Sequence, residues 1–462
     1  MDLEKYTDKH GAMELIARFD GEFAVVENPE YIYPPYDLYP LAQRSDELYD
    51  GMAGAVMDMD GTTTTTEPLC LHSLETMVRR IAGHETDPTW KGLDRERDYP
   101  HIIGNSTTRH VEYLIRTYKD SIDEAAMRYF YVYSAIWTLG QGVDEGRKRQ
   151  VRSNCAAMGI GGLPADARFE GLQGADSLDT PEARQAIERL TKDAAGGMRL
   201  TTLSDKVRAA VDIYYQRYHF ILKRIDAGQG DAVAAEVFGD PDKHLIRPMK
   251  GTGVFLAMLK GWLGADAAFC FDEFAEHLSR MGMDRPRRDE RTSRAQLAAL
   301  GAYFERNPAA VAVVTSSILY EADIVLSEVF RVLAREVAAW DIPSEKSRLI
   351  ANRFAEYSRC YDAFITASDS SEIRLKPHRD LYSMALHAMG IPPESFHRVA
   401  GFEDSESGTI AIRASGIPLC CALPFPETEG HDFKAASYVA RGGIPEVVLS
   451  KRVFLPDRLI TE

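Results

Sequence analysis

The sequence predicts an α/β protein: a parallel sheet with helices on both faces, into which an all-helical domain is inserted. Three observations carry that expectation. Short apolar, β-branched runs end in polar residues at "GAVMDMDGT" and "AAVAVVTSS", and similar runs recur at "YDAFITASD", "HRVAGFEDSESG" and "PLCCAL". Beyond Pro308 such runs alternate with helical patterns, which implies a parallel sheet with its connections on its faces. The first run lies far upstream of the others, and residues 67 to 305 between them are mostly helical in pattern. A chain looks like this when one domain is inserted into another.

The bulk properties suit such a protein. At 462 residues the chain can bury an ample core in two or three domains. Hydrophobic residues at 45% and charged residues at 27% are an ordinary globular balance. A net charge of −16 argues against a general binder of nucleic acid or anionic membranes, which needs a basic face. The N-terminus is charged and lacks a signal-peptide core, and no run of about 18 apolar residues could span a membrane. Six cysteines show no C-x-x-C pair or zinc spacing, which fits reduced thiols and a cytoplasmic location.

The elements follow in order. Residues 1 to 50 are expected to form an arm packed on the core. Within it "FAVVENPEYIYPPYDLYPL" is rich in Tyr and Pro, and proline resists regular structure, so an irregular path is expected. A lid, a contact in a homodimer, or simple packing are the roles open to the arm. "GAVMDMDGT" reads as a strand running into a loop. The catalytic core is expected at 51–66 and 306–462, and the inserted helical domain at 67–305. After "AAVAVVTSS" come a helix at about 319 to 339 and more helix to about 360. "PHRDLYSMALHAMG" reads as a helix ending at Gly390 and "TIAIRASG" as another.

Sites in an open parallel sheet form beyond the carboxyl ends of the strands. Four strand ends here carry suitable groups. At Asp58-Met59-Asp60-Gly61, alternation sends both carboxylates to one side. Two carboxylates that close cost energy unless a cation compensates or one holds a proton. Mg²⁺ would compensate, and the second carboxyl could then serve as acid and later base. Gly61 permits a sharp turn. Thr315 and Ser316 offer a hydroxyl and backbone N–H groups for phosphate oxygens. Lys376 would neutralise phosphate charge, and Pro377 biases it away from helical geometry. Glu403-Asp404 is a second acidic pair, suited to completing a metal site.

The ordered set "DMDGT … VVTSS … LKPHRDLY … GFEDSESG" resembles the four motifs of the haloacid dehalogenase superfamily, in the style of its β-phosphoglucomutase and phosphoglycolate phosphatase branch. The resemblance covers about 52–75 and 309–425. It implies a Rossmann-like core with a helical cap inserted after the first motif. It implies Asp58 as the nucleophile that becomes an aspartyl phosphate, and Asp60 as the group that protonates the leaving oxygen and then activates water. Thr315 and Lys376 would bind the transferring phosphoryl group. Asp404, with Glu403, would hold Mg²⁺ together with Asp58 and the backbone carbonyl of Asp60. An acid at position 60 favours phosphate chemistry, since true dehalogenases of the superfamily lack it. A phosphatase acting on a small phosphorylated metabolite is the expected activity. A phosphomutase is the first rival, and a non-catalytic binding protein the second. In the mutase pattern a histidine follows the first motif at short spacing; "TEPLCLH" puts Leu69 at the nearest equivalent and His72 beyond it.

Other readings fall on composition or spacing. A calcium loop at "DMDGTTTTTEPL" fails, because Thr63 stands where glycine is required and Leu69 where glutamate is. "GTGVFLA" lacks the third glycine of a dinucleotide loop. In "IIGNSTTRHVEYL", Arg109 with Thr108 could grip a substrate carboxylate or second phosphate, although Ser106 to Thr108 could equally cap a helix. "GRKRQVR" reads as a solvated face, and "YFYVYSAIW" as packing inside the helical domain.

Overall fold

The structure is a computed structural model. It describes the chain except residues 1–5, 20, 29–32, 103–106, 241–242, 284–289, 370–373, 426–427, 429 and 462. Two compact units result, Met1–Thr65 with Arg247–Glu462, and Thr66–Ile246.

The first unit holds a six-stranded sheet. Its strands are β3 (Gly54–Asp58), β6 (Ala310–Val314), β7 (Ala363–Ile365), β8 (Val399–Glu403), β9 (Leu419–Ala422) and β10 (Tyr438–Val439). They run in the order β10-β9-β8-β3-β6-β7, and every pair is parallel. All residues of β3 and β8 are buried, as central parallel strands require, which is why they read as unbroken apolar runs. The register pairs Gly54 with Ala310 and with Val399, so Asp58 lies level with Val314. The chain leaves β3, β6 and β8 at one edge of the sheet with Asp58, Thr315 and Asp404 beside one another in the sheet order. Helices Leu319–Glu336, Asp380–Ala388 and Glu406–Ala414 follow β6, β7 and β8. One face is packed by Leu381, Tyr382, Leu386, Ile412 and Ile417 against Val56, Val314 and Val399.

Two expectations need correction. Residues 247–305, assigned to the inserted domain, lie in the first unit. Arg247–Pro248 (β5) pairs antiparallel with Thr64–Thr65 (β4), which brings the chain back beside its exit point. Helix Thr252–Leu259 is buried on every side, and the Phe255 ring meets that of Phe402 in β8 at 5.4 Å. Helical periodicity reveals a helix but not the core it packs on. "TGVFLAML" is apolar all round and has no stripe to point with.

The arm is also more regular than expected. Helix Lys9–Ile16 is capped by Asp8, and β1 (Phe23–Glu27) pairs antiparallel with β2 (Tyr36–Pro40). Pro34 and Pro35 fall between the two strands and Pro40 closes the second, so the prolines flank the ladder. The arm is tied to the core through arginines. Arg413 is fully buried and bonds the Ala42 and Ala435 carbonyls. Arg44 bonds the Ala436 and Lys434 carbonyls at 2.8 and 2.7 Å and also the Glu22 carboxylate.

The second unit is helical among the described residues. Helix Glu124–Gln141 buries Tyr131, Tyr133, Ile136 and Trp137, the packing role expected of "YFYVYSAIW". Helix Glu145–Ala157 carries the basic run, with Arg149 and Arg152 exposed. Arg147 instead turns inward, where it meets Asp212 at 2.5 Å, and Asn154 donates to both oxygens of that carboxylate at 3.0 and 2.9 Å.

Candidate active site

The loop after β3 is built from threonines. The Thr63 hydroxyl donates to the Asp58 carbonyl at 2.7 Å, and the Thr63 and Thr64 amides both return to the Met59 carbonyl. Gly61 turns the chain at φ +82°, and a Cβ there would lie 2.6 Å from the Asp404 carboxyl carbon. Gly61 is thus fixed by the turn and by the close approach of Asp404.

Asp58 ends β3 at 6% exposure. Its carboxylate is paired with the ammonium of Lys376, 318 residues away in sequence. The same ammonium bonds Glu403 Oε1 at 2.6 Å. Burial acts to lower the lysine's pKa, but Asp58 and Glu403 outweigh it and hold the group above its ordinary value, charged. Burial pushes the Asp58 carboxyl well above the usual range, against the pull of Lys376, and Glu403 and Asp60 add to the push.

Glu403 is fully buried and heavily engaged. Oε1 accepts from Lys376 and from the Tyr382 hydroxyl at 3.1 Å; Oε2 accepts from the Ser405 amide at 2.9 Å and its hydroxyl at 2.8 Å. Gly408 makes room for it, since a Cβ there would fall 1.6 Å from Oε1. Asp60 Oδ2 accepts from two hydroxyls, Thr315 and Ser317, each at 3.3 Å. The Ser317 amide in turn donates to Thr315 Oγ1 at 3.0 Å.

Carboxylate oxygens of Asp58, Glu403 and Asp404 lie within 4.8 Å of one another. Oxygen donors at that spacing fit a small hard cation after modest adjustment. The donor set therefore suits Mg²⁺, with Asp58 and Asp404 the natural ligands and Glu403 already committed to Lys376, Tyr382 and Ser405.

Of the residues singled out in the sequence, Asp58, Asp60, Thr315, Lys376, Glu403, Asp404 and Gly61 come together. Ser316 is exposed, and its neighbour Ser317 supplies the hydroxyl on Asp60. Thr108 and Arg109 lie exposed in the first turn of helix Thr107–Thr117 in the second unit, and Ser106 is outside the described residues. In that same unit His72 Nε2 lies 2.9 Å from Arg217. Sequence reading missed Ser317 and Tyr382. A step of two from Thr315 would have flagged the serine. The tyrosine, buried in a helix, needs an acceptor for its hydroxyl, and Glu403 is that acceptor.

A parallel sheet whose central strand ends in D-x-D-G-T, flanked by a hydroxyl station, a lysine station and an acidic pair, is the layout expected from the resemblance to the haloacid dehalogenase superfamily. No protein-family model matches the chain. Among curated proteins it is similar to Protein CbbY of Rhodobacter capsulatus, 31% identical over 109 residues, which make up 24% of this chain and 44% of that protein. The match thus spans less than half the length of that relative. Among solved structures it is similar to CbbY from Rhodobacter sphaeroides in complex with phosphate, at 15% identity and a TM-score of 0.35, covering 86% of this chain and 96% of that one. A variant of that protein in complex with xylulose-(1,5)bisphosphate gives 14% identity and a TM-score of 0.33, covering 84% and 93%. At such scores the likeness is loose, and the reading of the site rests on its own geometry.

Proposed function

We propose that the chain is a Mg²⁺-dependent phosphatase that hydrolyses a small phosphorylated metabolite through an aspartyl phosphate on Asp58. The observation that supports this best is the pairing of Lys376 with Asp58 at the end of the central strand, with Thr315, Asp60 and Asp404 gathered round it.

In the first step the Asp58 carboxylate attacks phosphorus and the phosphorus–oxygen ester bond breaks. Asp60 gives its proton to the departing alcohol oxygen. In the second step Asp60 takes a proton from water as that water attacks the aspartyl phosphate. Inorganic phosphate leaves and Asp58 is restored. Lys376 and the Thr315 hydroxyl hold the non-bridging oxygens, so the charge that builds up in transfer meets donors already in place. Mg²⁺ would be held by Asp58, Asp404 and the Asp60 backbone carbonyl; it would supply charge neutralisation on the phosphoryl oxygens. Glu403 serves Lys376. Arg109 and Thr108 are candidates for gripping a second anionic group of the substrate.

The rival reading is a phosphomutase, which returns the phosphoryl group to another hydroxyl of the sugar and needs a base near its working pH. His72 follows the first station, but burial, with Arg217 and Arg80, pushes its pKa down to about 4, and its Nε2 lies 2.9 Å from Arg217, so it suits that role poorly. A screen of phosphorylated metabolites with Mg²⁺, run beside Asp58→Asn, tests both readings. Release of inorganic phosphate supports the phosphatase; an isomeric phosphate that forms only with a bisphosphate activator supports the mutase. Turnover that persists in Asp58→Asn removes both.

A further inference from the structure

The lysine station is a loop, and contacts among its described residues shape it. The Asp380 carboxylate accepts from the Arg374 amide at 2.9 Å and from its guanidinium Nε at 3.3 Å, which ties the two ends of the segment 374–380 together. Inside that span the His378 amide returns to the Leu375 carbonyl at 3.0 Å. The His378 ring is 7% exposed, and its Nδ1 lies 2.7 Å from Asp380 Oδ1. Lys376 sits in the middle and reaches Asp58 and Glu403.

The other side of His378 is covered by the arm. Tyr39, in β2, meets the imidazole edge to face, with ring centroids 5.4 Å apart and planes at 90°. That is a favoured aromatic geometry. The Tyr39 hydroxyl turns aside toward Asp37 at 3.4 Å, so the ring makes the contact. Tyr39 is itself held on both sides. Its amide neighbourhood is the β1–β2 ladder, where Ala24 is its partner. Just downstream, Ala42 donates its amide to the Arg413 carbonyl at 2.9 Å, and the Arg44 guanidinium bonds the carbonyls of Lys434 and Ala436. The arm therefore offers a fixed surface where the lysine loop presents the His378 ring to it.

We infer that the N-terminal hairpin braces the lysine loop, and that Tyr39 is a positioning residue for Lys376, acting through His378. The inference rests on the proposed role of Lys376 in phosphoryl transfer. Misplacement of a reacting group by a fraction of an ångström to an ångström lowers rate without changing the groups present. The brace therefore bears on kcat more than on KM.

The test compares Tyr39→Ala, which removes the ring, with Tyr39→Phe, which keeps it and removes only the hydroxyl. In the full chain with Mg²⁺, Tyr39→Ala is expected to lower kcat about tenfold with KM within about twofold, and Tyr39→Phe to match the parent. Hydrogen exchange gives a second readout that needs no activity: the Arg374 and His378 amides should exchange about tenfold faster in Tyr39→Ala and at the parental rate in Tyr39→Phe. Should Tyr39→Ala melt too low to assay, His378→Ala breaks the same contact from the loop side and is expected to speed exchange at Arg374. Parental kcat and parental exchange in Tyr39→Ala would overturn the brace. A chain that turns over no phosphate ester in any form would remove the role given to Lys376, while the exchange rates would still judge the brace.

Discussion

Two buried ionic clusters, one in each unit, differ in a way that separates structure from chemistry. In the helical unit Asp212 is 1% exposed, and Arg147 and Asn154 satisfy both of its oxygens. Arg147 pairs with the carboxylate directly, and Arg208, which bonds Asn154, adds a second positive charge nearby. At the end of β3 three buried carboxylates gather, and the ammonium of Lys376 is shared between two of them, Asp58 and Glu403. The first cluster sets cations around a single carboxylate; the second gathers several carboxylates at the end of a strand, where the proposed metal ion and substrate would bind.

The sharpest way to break that comparison is Asp58→Asn. Turnover should fall on the order of 10⁴-fold, because the amide cannot take the phosphoryl group, while the melting temperature stays the same or rises as a repelling charge is lost. Steady-state kinetics beside a thermal melt checks both halves. Arg147→Met should do the reverse. Removing the ion-pair partner of buried Asp212, with Asn154 and the more distant Arg208 left to it, should cost up to roughly 3–5 kcal/mol of stability by urea titration, with turnover per folded molecule unchanged. A loss of activity there without loss of stability would mean that the helical cluster is not merely structural.

Metal addition sharpens the contrast further. Mg²⁺ at about 100 times its dissociation constant should stabilise the chain by roughly 2.7 kcal/mol, and the gain should vanish in Asp404→Asn while Arg147→Met keeps it. The smallest effect is one of pH. His72 is neutral in the folded chain, with its pKa lowered from 6.5 to about 4 by burial and by Arg217 and Arg80. The unfolded imidazole takes up a proton first as pH falls. The stability that His72 contributes is therefore complete above about pH 6.5 and is lost progressively as pH drops toward 4. Between pH 7 and 5.5 the loss should be about 1 kcal/mol relative to His72→Leu, measured by parallel denaturation.

Much of the core was legible because its signals are local. β3 and β6 announce themselves as apolar runs that end in reactive residues, and Asp58, Asp60, Thr315, Lys376, Glu403 and Asp404 could each be placed at a strand end or just before a helix. What was hidden depended on distant packing. The step of residues 247–305 back into the first unit follows from the pairing of Thr64 with Pro248, which no local pattern encodes. The commitment of Glu403 to Lys376 and Tyr382 required knowing that a lysine 27 residues upstream points inward. The hairpin in the arm was obscured by prolines, which fall at its turn and end and leave the ladder intact.

The separation of β3 from its neighbours has a consequence for biosynthesis. β3 ends at residue 58, and the strands that flank it begin at 310 and 399. During translation this apolar strand leaves the ribosome long before either neighbour exists, while the contiguous stretch Thr66–Ile246 can fold as a body behind it. For that interval both its edges lack the strands they will join, a state open to mispairing with other nascent chains. Yield on overproduction should accordingly respond more to chaperone supply and slow synthesis than to any surface substitution.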